Sequence, residues 1–191
     1  MAFACCVKTI SRQLISLVKM IKITRPYLED APPWCPYFFR LIPEDHLMEA
    51  LQNNRKNALE LFNSIPVSRE DYTYAENKWT VKMILLHLID TERFYQYKAF
   101  CSSRHVDINL EFEQDEYVKY SNAANRTLLD IEEEFSAVRD STISLFRKMT
   151  TEMLDFKGFP NRIIYTARSL GWMIAGHNIH HCNIIKMKYL K

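Results

Sequence analysis

The chain has 191 residues, of which 48% are apolar and 25% are charged, and its formal net charge at pH 7 is +2. This length suits a single domain, and this composition is typical of a soluble globular protein rather than of a disordered, membrane-spanning or strongly nucleic-acid-binding chain. With only three glycines, the chain cannot assemble a Gly-rich phosphate loop or a GxGxxG dinucleotide turn, so the commonest nucleotide-binding motifs are excluded.

The N-terminal segment is basic, because its first 28 residues include five basic residues and no acidic residue. Its apolar run is broken too often for a signal peptide or a membrane span. The simplest interpretation is a frayed tail, with Met20 as an alternative start; a basic amphipathic helix at a membrane surface and a transit-like segment are the other interpretations. We predict an N-terminal extension over residues 1–36, partly disordered or helical, followed by one domain over residues 37–191.

Four long stretches have apolar residues at helical spacing, and turn or breaker residues separate them. The first is predicted over residues 43–64, since a proline and two acidic residues stand at its start, where both residue types favour a helix. The second follows Thr80, which is a good N-cap, and continues to about residue 100.

The third helix is predicted to begin after residue 121 or 122, and its apolar seam continues to residue 149 at three- and four-residue steps. The fourth begins near Thr166 and continues to the C-terminus. Four amphipathic helices without a competing strand pattern predict an all-α fold, most simply an antiparallel four-helix bundle. The link over residues 101–120 is longer than a bundle needs, which indicates a crossover or a covering loop.

The stretch AGHNIHHCN holds three of the six histidines of the chain. On a helix, His177 and His181 lie about 40° apart on one face, one turn above the other. The apolar seam through residues 170, 174 and 184 selects this pair as the inward one. His180 is then predicted to lie on the flank of the pair, with an undefined role.

The second helix carries His87 on its inner face, within the apolar segment MILLHLID. Burying an imidazole without a partner costs about 1–3 kcal/mol, so three inward histidines need something to bind their nitrogens. Three such side chains could form a metal site with open coordination positions. The alternative is that each histidine is a hydrogen-bonded core or boundary residue, because spacing alone does not show that the second and fourth helices face each other.

Four segments resemble the DinB-like (YfiT/bacillithiol transferase) superfamily in order and spacing: YTYAENKWTVKMILLHLIDTERFYQYKAF, EFEQDEYV, IEEEFSAVRDSTISLFRKM and AGHNIHHCNIIKMKYL. The resemblance covers about residues 37–190 and is most specific at KWTVKMILLHLIDTER and AGHNIHH. It implies a four-helix bundle of the up-down-down-up type, usually dimeric. It also implies a divalent metal held by one histidine of the second helix and two of the last, at the positions of His87, His177 and His181.

The function that this resemblance implies is metal-dependent chemistry on small molecules. Family members are linked to nickel, zinc or other divalent ions, and to transfer of bacillithiol- or mycothiol-type thiols onto electrophiles, isomerisation or hydrolysis. A divalent ion can lower the pKa of a thiol or activate water. We predict a Zn²⁺- or Ni²⁺-dependent thiol S-transferase acting as a homodimer; the alternatives are a hydrolase or isomerase on the same site, or a non-catalytic bundle that binds small molecules.

Carboxylates near the predicted ligands could accept a hydrogen bond from the second ring nitrogen of a histidine. The candidates are Asp90, Glu92 and Asp115, although acidic residues on helices are more often solvated. No residue is predicted to be catalytic by itself. The aromatic residues of the second helix are predicted to pack in the core and at its rim, although the resemblance implies that they line the cleft; they are Phe94, Tyr95, Tyr97 and Phe100.

The five cysteines are odd in number and show no CxxC spacing, which argues against a disulfide framework and favours a reducing, cytoplasmic location. Cys182 directly follows His181, but neighbours on a helix point about 100° apart and do not face each other. We therefore predict that Cys182 is a buried structural thiol rather than a nucleophile.

Overall fold

The computed structural model describes residues 21–106, 108–158 and 164–191, and within these ranges all regular elements are helical. Four helices are long: α2 (Leu47–Ser64), α3 (Val81–Ser103), α5 (Leu128–Phe146) and α7 (Ala167–Ile184). Three are short: α1 (Cys35–Phe39), α4 (Gln114–Lys119) and α6 (Thr151–Asp155). A π-helical turn, Ile185–Tyr189, follows α7. In the described part of the chain, no helix is both long and apolar enough to cross a membrane.

The four long helices form a bundle. Helix α2 packs against α5 and α7, and α3 packs against the same two helices, so the order around the bundle is α2, α5, α3, α7. Consecutive helices α2 and α3 therefore lie across the bundle from each other. The predicted all-α four-helix bundle is confirmed.

The predicted N-cap of the second helix is present, and the predicted start of the fourth helix is capped in the same way. The Thr80 hydroxyl accepts a hydrogen bond from the backbone N–H of Met83 at 3.2 Å. The Thr166 hydroxyl accepts one from the backbone N–H of Ser169 at 3.1 Å. These bonds satisfy amide groups that a helix start leaves without a partner in the helix, and they fix where α3 and α7 begin.

Two predicted helix boundaries are wrong. The first is changed by a contact with a residue remote in sequence, and the second by a cap next to the helix. Helix α2 begins at Leu47 rather than at residue 43, because Arg25 draws the carbonyls of Ile42 and Glu44 out of a helical path, at 2.6 and 2.9 Å. Helix α5 covers Leu128–Phe146 rather than residues 122–149. The Thr127 hydroxyl caps its start by accepting from the backbone N–H of Asp130 at 3.1 Å.

Residues 1–20, on which most of the predictions for the basic tail fall, lie outside the described residues. The rest of the predicted extension packs on the bundle, since Ile23 is 2% exposed and belongs to the core. The Thr24 carbonyl accepts hydrogen bonds from the Trp172 indole at 2.9 Å and from Arg168 at 3.2 Å, both on α7. The domain boundary at residue 36 stays a prediction.

A buried ion pair joins the long helices. Arg139 of α5 and Glu92 of α3 are 0% and 3% exposed, and two Arg139 nitrogens donate to the two Glu92 carboxylate oxygens at 2.8 Å each. Arg139 also donates to the Leu51 carbonyl and the Asn54 side chain of α2, at 3.1 and 2.9 Å. Asn54 in turn donates to the Ala175 carbonyl of α7 at 3.4 Å. One connected set of hydrogen bonds thus contacts all four helices.

We expect Arg139→Met to lower the free energy of unfolding by about 3–5 kcal/mol, because it leaves the Glu92 carboxylate buried without its cation. Urea denaturation followed by circular dichroism measures the change. Asp140→Asn is the matched control, since Asp140 is the next residue of α5 and forms an exposed ion pair with Arg55 at 2.7 Å. The control should cost less than about 1 kcal/mol, and equal losses in the two variants would contradict the role given to the buried pair.

Candidate metal centre

The three histidines singled out from the sequence meet between α3 and α7. The Nε2 atom of His177 lies 3.2 Å from the Nε2 atom of His87 and 3.1 Å from that of His181. One nitrogen from each ring lies within 4.8 Å of the other two. His87 is 2% exposed, and the other two side chains are half-buried.

The local fold explains why these rings converge. His177 and His181 are one turn apart on α7, so both rings project from one face. Helix α3 packs along this face of α7, and its inward residue at the same level is His87. The close packing of two helices therefore supplies the juxtaposition that spacing alone could not establish.

Hydrogen bonding between the rings cannot satisfy all three nitrogens. A neutral imidazole carries either one proton or one lone pair at Nε2, so it can form one well-directed hydrogen bond at that atom. The Nε2 atom of His177 faces two other Nε2 atoms at nearly equal distances. At most one of these two contacts can therefore be a well-directed hydrogen bond.

Burial keeps the three imidazoles neutral. Burial lowers the pKa of His87 to about 4. Burial, followed by electrostatic repulsion from His87 and His180, lowers the pKa of His181 to about 3. The pKa of His177 is lowered well below its usual value, first by burial and then by the neighbouring histidines. At pH 7 each of the three rings is thus neutral and has a lone pair on one of its two nitrogens, which is the state that binds a metal ion.

The donor set fits a divalent ion. Metal–nitrogen distances near 2.1 Å place neighbouring nitrogens of one coordination sphere about 3.0–3.4 Å apart. The two Nε2–Nε2 distances centred on His177, 3.2 and 3.1 Å, fall in this range. Three imidazole ligands suit zinc, nickel, copper or iron and leave coordination positions for a substrate.

The second ring nitrogens are held less firmly. The Nδ1 atom of His87 lies 3.4 Å from the hydroxyl of Thr91, one turn further along α3. The Nδ1 atom of His181 is buried and has no hydrogen-bond partner among the described residues. Thr91 was not predicted as a partner of His87, although it follows His87 by four residues and therefore lies one turn further along the same face of the helix.

The three carboxylates named as candidate partners have different positions. Glu92 is not a histidine partner, because both of its oxygens accept hydrogen bonds from Arg139. Asp90 lies 3.7 Å from Arg93, and burial raises its pKa. Asp115 is exposed and lines a cavity together with His181.

This cavity, which we call the histidine cavity, has a volume of about 250 Å³. Its lining includes His181, Asp115, Lys78, Trp79 and Tyr189. It gives small molecules access to His181 from the side of α4 and of the segment that precedes α3.

Two aromatic side chains cover His87. The Trp79 ring lies 4.9 Å from the His87 ring between centroids, and the Tyr189 hydroxyl donates to the Trp79 carbonyl at 2.8 Å. Phe112, from the long link between α3 and α5, lies 6.2 Å from His87 and 4.9 Å from Phe94. The link therefore acts as the covering loop that its length indicated.

Helix α1 covers the other side of the cluster. A Cβ atom on Gly176 would lie 2.4 Å from the Phe38 carbonyl oxygen, so glycine is required for this close approach of α1 to α7. The approach places the Phe38 ring 5.8 Å from the His177 ring and the Tyr37 hydroxyl 2.9 Å from Nδ1 of His180. His180 lies on the flank of the histidine pair, as predicted. The positions of Tyr37 and Phe38 beside the cluster were not predicted.

Cys182 is 8% exposed, and its Sγ atom lies 3.6 Å from the side-chain oxygen of Asn178. Burial raises the pKa of its thiol to about 11. The thiol is therefore protonated at pH 7 and packs in the core, as expected for a structural cysteine.

Comparison with known proteins supports the same fold. Residues 50–185 match the sequence model of a family described as the DinB superfamily, whereas no curated protein matches the chain. A solved structure described as "YfiT from Bacillus subtilis is a probable metal-dependent hydrolase with an unusual four-helix bundle topology" is similar to this chain, with a TM-score of 0.65 and 15% sequence identity. The match covers 73% of this chain and 82% of that chain.

Because of the histidine cluster, we expect the free energy of unfolding of the metal-free protein to decrease as the pH falls from about 6.5 to about 4. In the unfolded chain these histidines have an ordinary pKa near 6.5 and take up protons in this range, whereas in the folded chain His87 and His181, with pKa values of about 4 and 3, do not. Acid therefore favours the unfolded state, and above pH 6.5 the contribution of these groups is constant.

Melting temperatures measured between pH 4 and pH 8 test this, with the double variant His87→Gln and His181→Gln as the comparison. The variant should show a shallower loss of stability in acid. Identical pH profiles would show that the two imidazoles do not cause the dependence.

Proposed function

The chain belongs to the DinB superfamily, and we propose that it is a metal-dependent enzyme in which His87, His177 and His181 hold a divalent ion. The observation that supports this most directly is that nitrogens of three neutral imidazoles lie close together. The two Nε2–Nε2 distances centred on His177 match the distance between neighbouring nitrogens that bind one metal ion. The ligand set contains no carboxylate, so the ion would keep its full positive charge for polarising a bound substrate.

The proposed reaction is transfer of a low-molecular-weight thiol onto an electrophile. When bound, a divalent ion lowers the pKa of a thiol so that the thiolate is available for attack at neutral pH. This assignment follows the resemblance to thiol transferases of the superfamily, and it is supported by the access that the histidine cavity gives to His181.

The residues around the cluster have separate tasks in this proposal. Asp115 lines the histidine cavity, so its carboxylate can accept the proton that the incoming thiol loses. Trp79 and Phe112 cover His87 and exclude water from that side of the ring. Helix α1, held against Gly176, closes the side of His177.

Hydrolysis is the second candidate, because the similar structure from Bacillus subtilis is described as a probable metal-dependent hydrolase. In this case a water molecule takes the place of the thiol, and Asp115 accepts its proton. The same three histidines serve both reactions, so the identity of the nucleophile separates the two candidates.

Zinc and nickel are the proposed ions, because imidazole ligands suit both. The proposal also includes a homodimer, on the resemblance alone, and a cytoplasmic location. The location is supported by Cys35, Cys101 and Cys182, which are buried free thiols rather than disulfides.

We expect the purified protein to bind about one Zn²⁺ or Ni²⁺ per chain, and His177→Ala to abolish this binding, because His177 supplies the central nitrogen of the cluster. Equilibrium dialysis followed by elemental mass spectrometry measures the bound ion. His105→Ala, which changes an exposed histidine, should leave the stoichiometry unchanged. Metal at a hundredfold excess over Kd should also stabilise the wild type by about 2.7 kcal/mol. Unchanged metal content in His177→Ala would remove the cluster as the binding site.

We expect metal-loaded protein to consume small thiols in the presence of an electrophile, and Asp115→Asn to lower kcat about 100-fold or more without changing metal content. Assays with thiol and electrophile pairs, and separately with ester and amide substrates, measure the two candidate reactions. Turnover of esters or amides alone would select hydrolysis. Stoichiometric ligand binding without turnover would instead identify a binding protein, and turnover that survives in His177→Ala would contradict both reactions.

A further inference from the structure

A second, larger cavity lies beside α3, and its lining includes Phe112, whose ring also lies near that of His87. Its volume is about 600 Å³, and we call it the lysine cavity after Lys98, which lines it. Aromatic rings form much of its wall, namely those of Phe94, Tyr95, Phe112, Phe156 and Tyr165. This size is within the range of about 300–1,000 Å³ that is usual for sites that bind small molecules.

Lys98 is half-buried, and its ammonium group lies against aromatic rings rather than against a carboxylate of the described residues. Its Nζ atom lies 4.4 Å from the ring centroid of Tyr165 and 5.3 Å from that of Phe94. No carboxylate forms an ion pair with it in the part of the chain that the structure describes. Burial lowers the pKa of its ammonium group. The aromatic faces compensate for only part of the lost hydration, so an anion in the cavity would be stabilised by Lys98.

Other groups that line the lysine cavity are also hydrogen-bond donors. The Oγ atom of Ser102, one turn beyond Lys98, is buried and has no partner among the described residues. Burial raises the pKa of Tyr95 to about 12 and also raises that of Tyr165, so both phenols keep their protons at pH 7. Within the described residues neither phenol forms a hydrogen bond. The cavity thus offers three hydroxyl donors, and the Ser102 hydroxyl is the one of these three that is buried without a partner within the described residues.

Glu111, the acidic residue in the described part of the lining, does not supply an acceptor for these groups. Glu111 is exposed and forms no ion pair with Lys98. Its charge is therefore screened by solvent, whereas the ammonium of Lys98 is held against aromatic rings. The part of the cavity next to Lys98 therefore favours a negatively charged group.

We propose that the lysine cavity binds an organic carboxylate with an aromatic body, whose carboxylate group contacts Lys98 and Ser102 and whose body packs on Phe94 and Phe112. Lys98 is eleven residues beyond His87 on α3, which is about 16 Å along the helix axis. Phe112 contacts both Phe94 and His87, so a bound molecule of this kind extends from Lys98 toward the cover of the histidine cluster. The binding itself requires no metal and does not depend on the proposed enzymatic activity.

The experiment is calorimetric titration of the metal-free full-length protein with 3-phenylpropanoate, 4-phenylbutyrate and 6-phenylhexanoate. Each acid is compared with the primary alcohol of the same carbon skeleton, which has the same apolar body without the charge. We expect the best acid to bind about 10- to 100-fold more tightly than its alcohol, as for a hydrogen-bonded contact to a charged group.

Lys98→Met should reduce this ratio to about one, because it removes the ammonium and keeps an unbranched side chain that is one atom shorter. Lys148→Met is the matched control, since Lys148 is an exposed lysine outside the cavity, and it should keep the ratio. Ser102→Ala and Tyr165→Phe each remove one donor without changing the charge and should weaken the acid more than the alcohol, which tests the site even if Lys98→Met fails to fold.

Binding of the acids should be unchanged in His177→Ala, which separates this proposal from the proposed metal-dependent function. Equal affinity for acid and alcohol, no binding of any acid, or an unchanged preference in Lys98→Met and Ser102→Ala would each overturn the proposal.

Discussion

The ion pair between Arg139 and Glu92 is the interaction on which the arrangement of the bundle depends. Two charges removed from water are tolerated only when each finds the other in good geometry, so α3 and α5 can pack in few alternative registers. Asn54 extends the same constraint to α2 and to the backbone of α7. Glu92 is little more than one turn from His87, and fixing its position therefore fixes the level at which His87 meets α7.

Much of the fold could be predicted from the sequence, because it depends on local periodicity. The seam through His177 and His181 and the cap at Thr80 are properties of single helices, whereas the meeting of this pair with His87 was implied by the family resemblance and not by spacing. The start of α2 was wrong because Arg25, remote in sequence, holds the preceding carbonyls. Long-range contacts of this kind leave no periodic signal.

The same reason explains which residues around the site were missed or misassigned. Glu92 was a candidate partner for a histidine, but its cation lies 47 residues away on α5. Tyr37 and Phe38 reach the cluster only because α1 rests on Gly176. The donors of the lysine cavity come from α3 and from the segment before α7, and nothing in the sequence shows that Lys98 and Tyr165 are neighbours. Three-dimensional packing, rather than residue type, defines these positions.

The hydrogen bond from Tyr189 to the Trp79 carbonyl couples two parts of the chain that are far apart in sequence. Trp79 lies over His87, and Tyr189 belongs to the π-helical turn after α7, where it is 2% exposed and packs edge-on against Tyr72 and Tyr74. A side chain buried in this way moves only when the core around it opens, so this turn is fixed more firmly than a frayed helix end. The indole above His87 is therefore supported from a remote part of the chain, and removing this turn would take away that support without changing any of the three histidines.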